Sequence, residues 1–119
     1  MPLHVRSRRK KTETLFKEFP RATLLDLTSK ADPPWIKFSS FYPHENIPVP
    51  TWRGKTSASV EGIWQALKVF ESADIHAGSL ENRTMKNVKR TIRRFGSVLG
   101  HLHVDEDRLL PYVEARRLI

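Results

Sequence analysis

The sequence predicts a single α-rich α+β domain over residues 1–119, and three observations carry that reading. Residues 57–71, SASVEGIWQALKVFE, bring Val60, Ile63, Trp64, Leu67 and Phe70 onto one broad face when wound at about 100° per residue. Residues 84–99 repeat the pattern with Met85, Val88, Ile92, Phe95 and Leu99. The short β-capable runs lie in the first 40 residues, ahead of both helices. The expected architecture is a central buried helix over 57–71 packed on a helix over 84–99, with a small N-terminal sheet.

A chain of 119 residues holds one core of ordinary size, and 39% hydrophobic with 29% charged residues fits a folded protein. With no cysteine it has no disulfide, thiol nucleophile or cysteine-based zinc site. No run approaches the ~18 apolar residues of a membrane span, and the basic start lacks the apolar stretch of a signal peptide, so a cytoplasmic setting is the default expectation. The net charge of +8 favours anionic partners, nucleic acid among them. It is concentrated in two clusters, Arg6, Arg8, Arg9, Lys10 and Lys11, then Lys86, Lys89, Arg90, Arg93 and Arg94. Either cluster also reads as a solubilising surface.

In chain order, Leu3 and Val5 allow a brief edge strand, and Thr12 to Phe19 reads as a short helix stopped by Pro20. Ala22 to Leu27 and Trp35 to Phe38 are the β-capable runs, separated by the turn at Asp32-Pro33-Pro34. From Phe38 to Thr56, three prolines and a glycine forbid a long regular element, yet Phe38, Phe41, Tyr42 and Trp52 are too apolar to be left in water. They pack under the loop or wall a pocket. Thr56, Ser57 and Ser59 are candidate N-caps for the next helix. After the 84–99 helix, His101, His103, Asp105 and Asp107 alternate, a weak metal pattern from which no metal site is expected. Arg108 to Ile119 reads as a final helix with Leu109, Tyr112, Val113 and Leu118 partly inward.

The 57–71 helix is apolar on most sides, and its polar residues Glu61, Gln65 and Lys68 fall within about 60° of one another. On a buried helix, such a stripe of carboxylate, amide and ammonium faces a cavity, a ligand or satisfied partners. On an exposed one it is a solvated edge.

Three ordered stretches carry a family resemblance: FSSFYP at 38–43, SVEGIWQALK at 59–68 and VKRTIRRFGSVLGH at 88–101. Through Ser39, Phe41, Ser59, Glu61, Gln65, Ala66 and Lys68 the chain resembles the NADAR superfamily, whose members are α-rich N-glycosidases acting on ribosylated substrates such as ADP-ribosylated guanine. It also resembles, over nearly its whole length, a group of short microbial proteins to which no activity attaches. Ser40 stands where the NADAR loop usually has Asn, and Gly62 where the residue after the glutamate is usually His. The NADAR C-terminal segment, with its Asp and Trp, has no evident counterpart before Ile119.

The NADAR resemblance implies an ADP-ribose-type or nucleotide ligand and no cofactor. Cleavage of an N-glycosidic bond passes through an oxocarbenium-like centre that a carboxylate stabilises, which makes Glu61 the catalytic candidate with Lys68 beside it. Gln65 would orient either group, Phe41, Tyr42 and Trp64 would contact the base, and Arg90 and Arg94 would hold phosphate. Two other readings use the same residues differently: a nucleic-acid-binding module built on the basic clusters, and a non-catalytic protein that docks an acidic partner. The oligomeric state is not encoded in any of these features.

Overall fold

The 57–71 stretch is two elements rather than one. In the computed structural model, which describes residues 2–119, the helix α2 covers only Val60–Ala66. Leu67 closes it, and the chain turns at once into a strand, Lys68–Phe70. Ser59 is the cap among the three candidates: its side chain accepts the Gly62 N–H at 2.9 Å. The segment is apolar on most sides because its helix and its strand each have their own inward face. No single buried helix is needed to explain the pattern.

The described residues form two compact units, one running to Ser39 and the other Ser40–Ile119. The first contains α1, Thr12–Glu18, within the stretch expected to be helical. Glu18 accepts from Arg6 Nε at 2.9 Å and Nη2 at 2.7 Å, and pairs with Lys10 at 3.0 Å; His4 stacks on Phe19 at 4.4 Å. The expected N-terminal sheet is not formed. Residues 22–27 join no strand, and Trp35–Phe38 is a single 3-10 turn. β-capable residues need a partner strand, and here Asp26 ends the run instead, its carboxylate accepting the Thr28 N–H at 2.9 Å and pairing with Arg8.

The sheets lie in the second unit. Ile47–Pro48 (β1) pairs antiparallel with Thr56–Ser57 (β2) across the proline-rich loop. Lys68–Phe70 (β3), Val98–His103 (β4) and Arg108–Leu110 (β5) form an antiparallel sheet in that order, with a bulge at Val69 and Phe70. The helix expected over 84–99 shrinks to Ile92–Phe95 (α3). Its apolar spacing is real, but local chemistry overrides it. Thr84 and Asn82 hydrogen-bond to the backbone and to each other, Met85 and Asn87 adopt positive φ, and Gly96 ends α3 at φ 84°. Val98 to His103 then runs as a strand. A last helix, α4, covers Tyr112–Leu118.

The fold is thus a small mixed structure of short helices and two small sheets, not an α-rich domain with helix-on-helix packing at its centre. Its core joins Val49, Ile63, Ala66, Leu67 and Leu80, with Trp52, Ile47, Val104 and Ile119 against them. Full burial of Leu67 alone contributes about 2 kcal/mol. Trp52 therefore packs under its loop rather than lining an open surface. No helix among the described residues is long and apolar enough to cross a membrane.

Gly62 sits at the tightest point of this packing. A Cβ there would lie 2.8 Å from both the Ser57 hydroxyl and the Ser79 carbonyl oxygen, and 3.1 Å from the Ser59 hydroxyl. Alanine would gain about 1 kcal/mol in helix propensity, but overpacking against a backbone carbonyl costs about 1–3 kcal/mol. Gly62→Ala is therefore expected to lower the denaturant midpoint by the equivalent of up to about 2 kcal/mol at constant m-value. A raised midpoint would contradict the packing described.

Candidate functional site

Glu61 and Gln65 are one helical turn apart in α2 and meet directly: Gln65 Nε2 donates to Glu61 Oε1 at 2.8 Å. The other end of the Gln65 amide accepts the Arg90 backbone N–H at 2.9 Å. A main-chain N–H can only donate, so the amide oxygen must face it and the NH₂ must face Glu61. Gln65 is 2% exposed, and both bonds are made inside the protein.

The second carboxylate oxygen of Glu61 takes the Ser40 hydroxyl at 3.4 Å, and the Ser40 carbonyl accepts the Glu61 N–H at 2.9 Å. Ser40, at the position where the resembled loop carries Asn, thus grips Glu61 twice. Glu61 is half-buried, held by neutral donors, and among the described residues in no ion pair within 4 Å.

Lys68 does not belong to α2, as the helical spacing required, but opens β3. It nevertheless remains within electrostatic reach of Glu61, whose charge favours its ammonium form. Burial acts the other way and is stronger, with Arg90 and Lys89 adding to it, so the lysine is held below its ordinary value. Lys68 makes no ion pair among the described residues. Glu61 and Lys68 are thus half-buried, unlike charges that form no salt bridge with each other.

The neighbouring strand supplies a residue whose role the sequence did not reveal. His101 faces Lys68 in the β3–β4 register, is 2% exposed, and stacks on Trp64 with ring centroids 3.8 Å apart. Neither ring nitrogen reaches full hydrogen-bond geometry with a partner among the described residues. Burial pushes its pKa down to about 4, and the Lys68 ammonium adds to the shift while the Trp64 backbone opposes it. The alternation of His101 with His103, Asp105 and Asp107 was its only signal. The four do not converge: Asp105 accepts the Arg53 N–H at 2.9 Å, and His103 Nδ1 accepts the Glu106 N–H at 3.2 Å. Tyr112 completes the aromatic group, edge-on to Trp64 at 5.8 Å but itself 62% exposed.

The remaining candidates divide. Phe41 is half-buried beneath the Lys89 ammonium, 5.8 Å from its ring. Tyr42 lies against His44, with ring centroids 4.8 Å apart and planes tilted by 57°. Arg90 is a tether. Its Nη1 donates to the carbonyls of Gln65 at 3.0 Å and Lys68 at 2.8 Å, its Nη2 to that of Asp74, and its guanidinium lies over Phe70 and Phe95. A guanidinium so engaged closes the end of α2 and is poorly placed to release for a phosphate. Arg94 is exposed, 5.2 Å from the Phe95 ring. Two shallow clefts lie elsewhere, one of about 280 Å³ along Val69–Asp74 and one of about 150 Å³ between Lys55, Thr56 and the Ala77–Glu81 turn.

His101 links this arrangement to pH. Above its ordinary value of 6.5 the imidazole is neutral folded or unfolded; between 6.5 and about 4 the unfolded chain takes up a proton that the folded one excludes. Stability is then lost as pH falls through that window, by at most about 3 kcal/mol, and the loss stops below pH 4. In denaturation curves taken from neutral to acid pH, His101→Phe is expected to be flatter than the wild type by that amount. Parallel curves would contradict a buried, neutral His101.

No curated protein and no solved structure matches the chain. A family described as of unknown function, DUF6939, matches residues 7–119, so nearly the whole chain, with both units, belongs to that family.

Proposed function

We propose that the protein is an N-glycosidase-like enzyme that binds and hydrolyses an ADP-ribose-type or ribosylated-nucleotide substrate, with Glu61 at the reacting carbon. The observation that carries this reading is the Glu61 carboxylate. It is half-buried, fixed by Gln65 and Ser40, and in no ion pair among the described residues although an ammonium is close enough to sense it. The likeness of FSSFYP and SVEGIWQALK to NADAR sequences supports the same reading.

The chemistry suits these groups. As the bond from the anomeric carbon to the base nitrogen breaks, positive charge grows on the sugar, and a carboxylate already fixed in place stabilises it. Water adds its oxygen to the anomeric carbon, and its proton passes to Glu61 and then to the departing nitrogen. Gln65 fixes the carboxylate before substrate arrives, so no reorganisation is needed during reaction. Lys68 supplies a cation for a phosphate or ribose hydroxyl, Phe41 and Trp64 offer ring faces to the base, and Arg94 is the exposed cation for a further phosphate.

Glu61→Gln keeps shape and removes charge. It is expected to leave fold and ADP-ribose affinity near those of the wild type while lowering turnover on an ADP-ribosylated guanosine by about 10² or more. Lys68→Ala is expected to weaken ADP-ribose binding in isothermal titration. A wild type that neither binds ADP-ribose nor turns over the substrate, or a Glu61→Gln variant of normal activity, would overturn the proposal.

A further inference from the structure

The N-terminal unit has a surface that the candidate site does not use. Through Ser39 the chain carries nine Lys and Arg against four Asp and Glu, a net of +5 within a total of +8. Two of the four acids are already occupied, Glu18 by Arg6 and Lys10, and Asp26 by Arg8 and the Thr28 N–H. Arg9, Lys11, Lys17, Arg21 and Lys30 are exposed and form no ion pair among the described residues. A surface so unbalanced draws polyanions.

Charge alone does not choose among polyanions; the aromatic residues do. Trp35 and Phe38 stand on the 3-10 turn with rings 6.2 Å apart and only 24° from parallel. They are 38% and 68% exposed, and Phe16 on α1 is 44% exposed. Among described residues the unit buries only Ala31 and Ser39, so these rings do not belong to a core. Near-parallel exposed rings on the same unit as exposed cations match the elements of a platform on which unpaired bases stack while their phosphates meet Lys and Arg. A duplex keeps its bases stacked on each other and offers only its phosphates.

We propose that the N-terminal unit is a binding surface for single-stranded nucleic acid, with Trp35 and Phe38 stacking on bases and Arg9, Lys11, Lys17, Arg21 and Lys30 neutralising phosphates. The surface acts independently of Glu61.

The test is fluorescence anisotropy of a labelled oligothymidylate, alone and annealed to its complement, titrated with the whole protein over a range of salt. Five phosphate contacts give a log–log salt slope of about −3.5 for the single strand, and the single strand binds more tightly than the duplex. Trp35→Ala with Phe38→Ala is expected to weaken single-strand binding about tenfold or more without changing that slope, whereas Trp35→Phe retains binding. Lys11→Ala with Lys17→Ala is expected to flatten the slope by about 1.4. Matching circular dichroism spectra establish that the variants fold. No binding, or equal affinity for both strand forms with the aromatic variants silent, would overturn the proposal and leave a charged surface only. Self-association abolished by the aromatic substitutions, without oligonucleotide binding, would overturn it in favour of an interface between copies of the chain.

Discussion

The second unit depends on one buried primary amide. A side-chain amide that is taken out of water must satisfy both its oxygen and its nitrogen, and each end left unpaired costs about 1–3 kcal/mol. Gln65 meets this requirement with the Arg90 N–H on one side and Glu61 on the other. Arg90 must therefore run past α2 in an extended path, and its guanidinium then reaches the carbonyls of Gln65, Lys68 and Asp74. The same pair of residues ends the helix, starts β3 and aims the carboxylate. Structure and candidate chemistry thus share their fixed points, and Arg90 holds Gln65 and the end of α2 in place.

This explains which parts of the sequence were legible. Glu61 and Gln65, four apart, could be placed on one face because the four-residue spacing is honoured inside α2. Lys68 could not be placed by the same rule, since the helix ends before it; strand pairing with β4 keeps it near. The segment 84–99 misled for a related reason. Its apolar spacing is helical, but Gln65 needs Arg90 outside a helix, and a periodicity count contains no information about a donor required 25 residues away. The N-terminal runs failed oppositely: ATLLDL has strand propensity and finds no strand to pair with. His101 was visible only as part of an alternation, whose meaning was burial against Trp64.

The departures from the resembled motifs also acquire physical reasons. Ser40 places a hydroxyl and a carbonyl on Glu61, so a shorter side chain than Asn still holds the carboxylate. Gly62 admits the Ser79 carbonyl to within 2.8 Å of where a Cβ would stand, leaving no room for an imidazole. The imidazole that the fold does bring close to this stretch is His101, which faces Lys68 across β3 and β4 and lies buried against Trp64.

The central claim is that Glu61, Gln65 and Lys68 form a preset ligand site rather than a satisfied edge of the fold. Side-chain amide NMR of ¹⁵N-labelled protein reports on Gln65 directly, because its NH₂ donates to the carboxylate in question. On titration with ADP-ribose the account predicts a saturable shift of the Gln65 NH₂ resonances, with His101 and Trp64 ring signals moving along the same isotherm. Resonances of Gln65 that stay fixed while only the exposed basic residues respond would contradict it.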